Sequence, residues 1–500
     1  MHGAIGTLPG DARDRRSASR ISMQGAPSFS GDAVRAGEFN LRYTGLICSV
    51  AALGGLLFGY DWVVIGGAKP FYEAFFGLHT TYQIGWANSC ALLGCLLGSI
   101  LSGSVSGRFG RKRLLLLSAL IFGISSLLTG LSTTFVAFVT WRIMGGVAIG
   151  IASNVSPTYI AEVSPAPWRG RLVSLNQMTI VVGILLAQIV NWLIADRVPE
   201  NATEAMIRAS WNGQAGWRLM FEVVAIPSLL FFVSAFFVPE SPRWLISNGK
   251  ENEARAVFMK IGGSAYALQA VDDVGSAAAA EAKFAQSHAR RGFLFSRNLR
   301  RVLLIGVVLA VLQQWSGINV LFNYAEEIYK QAGYSVNGIL FNIVITGTIN
   351  LLFTLLAIRT VDKWGRRSLM LMGCCSIAAS HVLIGSCYLA GISGLPLLLA
   401  TLLTIGSYAM SLAPVTWVII AEIFPLRVRS EGVAISVSAL WIASFLLTFT
   451  FPLLNAALGA GGTFFLYASI CAAGFAFVYF LVSETKGRSL EEIEQSLLAE

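Results

Sequence analysis

The chain has 500 residues, 55% of them hydrophobic and only 13% charged, with a mean hydropathy of +0.67. Soluble proteins carry about 25% charged residues, so an ordinary soluble enzyme, a disordered chain and a disulfide scaffold are excluded and a polytopic membrane protein remains. The net charge of +9 comes from basic residues between apolar runs, where it reads as membrane topology rather than nucleic-acid binding.

Residues 1–42 are polar, rich in Gly, Ser and Arg, and lack the apolar core of a signal peptide. They predict a disordered cytoplasmic tail. Apolar runs near the ~20 residues that cross a bilayer follow at 43–66, 84–107, 114–131, 134–160, 171–194 and 217–238. The stretch 239–301 interrupts them, and its alternation of alanine with charge predicts amphipathic helices on a membrane surface. Six more runs occupy 302–325, 336–359, 368–390, 394–420, 431–455 and 463–482, before a polar tail at 483–500. Lipid satisfies no open sheet edge, so each run is a helix. The expected fold is an all-α integral membrane protein: twelve transmembrane helices in two six-helix halves, 43–238 and 302–482.

An even number of crossings places both termini on one side. If that side is the cytoplasm, only Lys69, Arg197, Arg208, Arg218 and Lys330 of the 36 Lys and Arg fall outside, with Arg142 inside a span. This is the asymmetry of positive-inside topology, and the expected location is the cell (inner) membrane. Asn201-Ala202-Thr203 forms a glycosylation triplet in an outside loop, a pattern common by chance. The 7 cysteines lie in apolar stretches without metal-site spacing and read as small buried residues.

The two halves also repeat in sequence. Ser106-Gly107-Arg108-Phe109-Gly110-Arg111-Lys112 after span 2 matches Val361-Asp362-Lys363-Trp364-Gly365-Arg366-Arg367 after span 8. Ala161-Glu162-Val163-Ser164-Pro165, with Arg169, matches Ala421-Glu422-Ile423-Phe424-Pro425, with Arg429; Glu240 is matched more weakly by Glu484. Homologous halves with a site between them are the organisation of major facilitator transporters.

Four further motifs narrow the family. Gly54-Gly55-Leu56-Leu57-Phe58-Gly59-Tyr60-Asp61, Pro239-Glu240-Ser241-Pro242-Arg243-Trp244, Gln313-Gln314-Trp315-Ser316-Gly317-Ile318-Asn319 and Glu484-Thr485-Lys486-Gly487 resemble, in order, the signatures of the sugar porters of the major facilitator superfamily. The resemblance covers about residues 40–490. It implies a proton-coupled monosaccharide symporter, hexose or pentose, working by alternating access, with no cofactor, no metal and no catalytic residues. Its partners would be a monosaccharide, protons and the bilayer, without nucleic acid, and the expected state is a monomer.

The residues support this independently. A sugar needs groups that both donate and accept hydrogen bonds, together with aromatic faces. Gln177, Gln313, Gln314, Asn319 and Asn350 are amides at membrane depth, and Trp417 and Trp441 supply faces. Such amides also glue helices together; the resemblance assigns Gln177, Gln313, Gln314, Asn319, Asn350 and Trp417 to the sugar, and Phe58, Tyr324 and Trp441 are counted with them. Asn323 stands where the family usually has the first of two tyrosines, Ala413 replaces a common glycine and Leu440 a usual amide. These departures bear on which sugar is taken.

A carboxylate in mid-membrane costs ~2.5–3.5 kcal/mol on insertion scales and signals function. Asp61 is such a residue, and Arg142 is its expected partner. Burial favours the neutral acid and a nearby arginine the carboxylate, so a motion that makes and breaks the pair couples to a proton; a permanent structural pair is the other reading. The resemblance implies coupling, since passive facilitators of the family carry an amide there. Glu222 is a second acid in a span, four residues after Arg218, where a local helix pair suffices.

The repeat-matched charges Arg108, Arg111, Glu162, Arg169, Glu240 and Arg243, with Asp362, Arg366, Glu422, Arg429 and Glu484, read either as topology alone or, by the resemblance, as a cytoplasmic latch. Gly107 replaces the acid that Asp362 retains, which predicts a weaker latch in the first half. The competing functions are an uncoupled sugar facilitator and a non-transporting sugar sensor.

Overall fold

The computed structural model describes residues 39–199, 202–286, 297–331, 333–424, 428–484 and 486. The expected N-terminal tail lies outside these up to residue 38, as do Asn201 of the glycosylation triplet and most of 483–500. The side chains of Asp362 and Arg429 are also outside the description.

Eleven helices among the described residues are long and apolar enough to cross a membrane. In chain order they are α1 Leu41–Phe76, α2 Thr81–Phe109, α3 Arg111–Gly130, α4 Phe135–Val163, α5 Arg169–Ile194, α6 Asn212–Ala235, α7 Leu299–Asn323, α8 Val336–Trp364, α9 Arg366–Leu389, α10 Leu395–Ile420 and α11 Arg429–Leu481. The last has 53 residues and leaves helical geometry at Gly459, where φ is 70°. It therefore carries both of the last two expected runs, and the all-α, twelve-crossing architecture holds.

Local chemistry starts the helices. Asn40 accepts the Tyr43 N–H at the head of α1, and Thr80 and Gln83 form a capping box at the head of α2, satisfying donors that a helix start leaves orphaned. α1 begins at Leu41, two residues inside the expected tail. Glycines then set the packing. A Cβ on Gly59 would overlap the Ile180 carbonyl, and one on Gly183 the Leu56 carbonyl, so α1 and α5 approach backbone to backbone. Gly94 and Gly146 do the same between α2 and α4, the small-residue contact that replaces the hydrophobic drive in lipid.

The repeat is visible in the packing. α1 lies on α5 in the first half as α7 lies on α11 in the second, and the halves meet along α2–α11 and α5–α8. α7 and α10 are broken. Gly317 takes φ 86° and ends the first part of α7, after which Ile318–Asn323 and then Ala325–Gln331 continue as short helices. In α10 the break falls at Ser411, with φ −124° and ψ −86°. Broken backbone at membrane depth is tolerated where it lines a cavity.

Between the halves, Pro242–Ser247 and Glu251–Gln286 are helical, the second broken at Gly262 and Gly263. Ala254, Val257, Phe258 and Ile261 are buried while their neighbours are exposed, an amphipathic pattern. Tyr266 meets Phe39 edge-on at 5.2 Å, and the Asn40 N–H donates to the Ile261 carbonyl at 2.8 Å, so this segment lies against the start of α1. It marks the basic end of the molecule, where α2–α3 and α8–α9 also turn; the opposite end is called the far end.

Candidate functional site

Between the halves lies a cavity of about 840 Å³. It runs from mid-membrane residues such as Trp62, Phe322 and Ser444 to Arg171 at the start of α5 and Arg366 at the start of α9, so it reaches the basic end. Gln177, Gln313, Gln314, Asn350, Phe58, Trp417 and Trp441 all line it.

Its polar wall is organised by the two helix breaks. Gln313 donates to the carbonyls of Leu412 and Ala413, at 3.2 and 3.1 Å. These carbonyls open the helix Leu412–Ile423 that follows the break at Ser411, and the amide reaches the acceptor capacity that a carbonyl keeps beyond its helical bond. Gln314 donates to Gln313 at 3.1 Å, and Asn319 donates to Gln314 at 2.7 Å and to Ser444 at 2.8 Å. The three amides form one oriented chain in which each holds the next in place.

Two expected contacts stand elsewhere. Asn319 is fully buried behind Gln314 and does not line the cavity. Tyr324 belongs to the far end: its hydroxyl donates to the Thr448 carbonyl at 2.8 Å and its ring packs on Phe451 at 4.6 Å. Residues that sequence reasoning passed over join the wall, notably Asn154, Asn176, Trp62 and Tyr408. Asn176 adjoins Gln177 and leaves a buried carbonyl oxygen without a partner; its place in the same amide pair was the available signal. Leu440 and Ala413, two of the family departures, also line the wall and make it more apolar there.

Asp61 and Arg142 meet as expected. An Arg142 Nη lies 2.5 Å from Asp61 Oδ1, and the two side chains are 4% and 6% exposed. The guanidinium also sits over the Phe221 ring at 5.4 Å. Arg218 does not turn to Glu222. It donates to the Gly130 and Ser132 carbonyls, closing the C-terminus of α3 where a helix leaves acceptors free, and Glu222 is half-buried.

At the basic end the repeat becomes geometry. Glu162 pairs with Arg111 at 2.8 Å and accepts from Ser241 at 2.5 Å. Glu240 accepts the backbone N–H groups of Arg111 and Lys112, at 2.8 and 3.1 Å. In the second half Glu422 pairs with Arg366 at 3.4 Å, and Glu484 accepts the N–H groups of Arg366 and Arg367, at 2.8 and 3.1 Å. Each glutamate after a half's last crossing thus caps the positive N-terminus of that half's third helix. Gly110 and Gly365, at φ 87° and 86°, provide the turn that exposes those N–H groups. At the Gly107 departure the carbonyl accepts the Trp244 indole N–H at 2.7 Å. Arg108 and Arg169 are exposed.

The far end holds a cluster that the sequence did not announce. Lys69, three residues beyond the first expected run, sits inside α1 and is 2% exposed. Its ammonium lies 2.6 Å from Glu327, 3.3 Å from Glu326 and 3.3 Å from Glu73, so it joins α1 to the Ala325–Gln331 helix of the other half. Asn337 exchanges two hydrogen bonds with the Val198 backbone, both at 3.2 Å, and Tyr82 and Trp86 of α2 meet Phe449 of α11 edge-on. The far end is closed across the halves.

Residues 47–497 match the family model described as sugar (and other) transporter. The chain is 38% identical to the D-xylose-proton symporter of Escherichia coli (strain K12), an alignment covering 91% of this chain and 96% of that one. It is 33% identical to the galactose-proton symporter of the same organism, over 93% and 97%. Among solved structures, a partially occluded inward open conformation of the xylose transporter XylE from E. coli matches with a TM-score of 0.77 and 36% identity, over 90% of this chain and all of that one.

Proposed function

The chain belongs to the sugar transporter family of the major facilitator superfamily, and from that premise we propose that it is a proton-coupled monosaccharide symporter with Asp61 as its proton site. It is a transporter and not an enzyme. The observation that carries the reading is a buried Asp61–Arg142 ion pair next to an amide-lined cavity between two homologous halves. Named relatives that carry xylose or galactose with protons support a pentose or hexose as substrate.

The basic end is assigned to the cytoplasm of a multi-pass inner-membrane protein, with both termini there, because the Lys and Arg residues concentrate on that side. The cavity then opens inward. Gln313, Gln314, Gln177 and Asn350 hold the sugar hydroxyls, and Phe58, Trp417 and Trp441 meet its C–H faces. A proton arriving from outside neutralises Asp61 and breaks its ion pair with Arg142. The halves then rock, the sugar leaves through the basic end, and the proton leaves Asp61 to the same side. The re-formed pair is the arrangement described here. The glutamate–arginine groups at the basic end, each of which here joins helices of one half, act as the latch only when that end closes and the two groups meet across the halves. The complete path lies within one chain, in keeping with a monomer.

The test is uptake of a labelled sugar panel into proteoliposomes, with and without an acid-outside gradient. One sugar accumulates above equilibrium only with the gradient, and Asp61→Asn keeps exchange but abolishes accumulation. Equilibration unaffected by the gradient returns the facilitator reading; binding without movement returns the sensor.

A further inference from the structure

Beside the sugar cavity is a second, much smaller one of about 20 Å³. It lies between Asp61 and Arg142 of the first half and Asn323 and Trp441 of the second, with Asn88 of α2 on its wall. Five polar atoms in these residues are buried without a partner in the protein: Asp61 Oδ2, Asn88 Oδ1, Asn323 Oδ1, Arg142 Nε and Trp441 Nε1. All five residues are more than nine-tenths buried. Buried polar groups left unsatisfied are costly, and five of them belong to residues that line this one void.

A void of this size accommodates a single water, which needs about 10–15 Å³ and two to four polar partners. Three of the orphaned atoms are acceptors and two are donors. A water gives two hydrogen bonds and accepts two, so it serves four of the five at once.

We propose that this cavity is a water site that ties the Asp61–Arg142 pair to the second half through Asn323, making Asn323 a positioning residue for the proton step. The water donates to Asp61 and Asn323 and accepts from the Trp441 indole and Arg142. Phe58, Trp62 and Trp441 line both cavities, so the wall against which the sugar packs is also the wall of the water site. A sugar that shifts the wall shifts the water, and the carboxylate loses or gains a solvating partner. The asparagine at 323 is what leaves room, because a tyrosine there would reach into the space the water needs. The titratable neighbours of Asp61 are Arg142 on α4 and the Cys90 and Cys95 thiols on α2; Tyr72 of α1 stands nearer Arg142.

This inference rests on the symporter reading, and the experiment separates the two. Asn323→Leu keeps the branched shape, removes the acceptor and fills the void; Asn323→Ser keeps an acceptor with space beside it. Purified variants are compared in proteoliposomes for gradient-driven accumulation, for exchange at equal pH, and for the pH profile of uptake. Asn323→Leu is expected to lower accumulation about tenfold and move the profile by at least half a pH unit, with exchange within twofold of the parent. Asn323→Ser restores both. If Asn323→Leu fails to fold, Asn88→Leu approaches the same water from α2 and carries the same expectation. Unchanged accumulation and pH profile, with Asp61→Asn still uncoupled, overturns the water site and leaves the symporter. Accumulation that survives Asp61→Asn overturns the symporter itself.

Discussion

The two ends of the molecule use charge in opposite ways. At the far end Lys69 reaches from α1 into Glu326 and Glu327 of the other half. At the basic end the pairs Arg111–Glu162 and Arg366–Glu422, and the caps made by Glu240 and Glu484, each join helices of one half. Charge that crosses the interface decides which end is shut. Charge that stays within a half braces that half so that it moves as a body.

The largest effect is expected from Lys69→Met, which strands Glu73 and Glu327 beside an apolar side chain and leaves Glu326 with Lys330 alone, at 3.8 Å. Breaking a buried pair by removing one partner costs about 3–5 kcal/mol, here borne by the closed far end. Labelling of a cysteine placed at Phe322 by an impermeant maleimide from the far side should accelerate at least tenfold, and an unchanged rate breaks the comparison. Glu162→Gln comes next. It removes a charged hydrogen-bonded pair worth about 1–3 kcal/mol from inside the first half. The melting temperature of the purified protein should fall while far-side labelling stays as it was; accelerated labelling would mean that the pair also holds the interface. The smallest effect on the closed far end itself is that of Phe449→Ala, which deletes the ring meeting Tyr82 and Trp86. Edge-on contacts of this kind contribute ~0.5–1.5 kcal/mol each, so labelling should rise severalfold, short of the Lys69→Met acceleration.

The sequence carried the fold because a bilayer leaves few choices: runs of the right length must be helices, and the repeat orders them. Most of the polar cavity wall was readable for a related reason, since Gln313, Gln314 and Asn350 are amides where apolar residues belong and all three line it. What stayed hidden depends on rotation and on distant partners. Asn319 and Tyr324 share a segment with Gln313 and Gln314, yet the turn at Gly317 directs one behind the amide chain and the other to the far end. The burial of Lys69 was not readable because its three carboxylate partners include two that lie more than 250 positions away. The Arg218–Glu222 spacing suggested a helix pair, but the free carbonyls at the end of α3 offer the guanidinium better acceptors.

The carboxylate caps have a consequence for biogenesis. Glu240 comes just after α6, and it reaches back to the start of α3 while Tyr159 donates to the neighbouring Pro239 carbonyl. The first half is buckled by its own last residues, before any of the second half is needed. Every residue of that fastening is therefore synthesised before the second half begins, and the second half repeats the arrangement with Glu484. Two self-fastening cassettes made in succession are also what an ancestral duplication of a six-helix unit would leave behind.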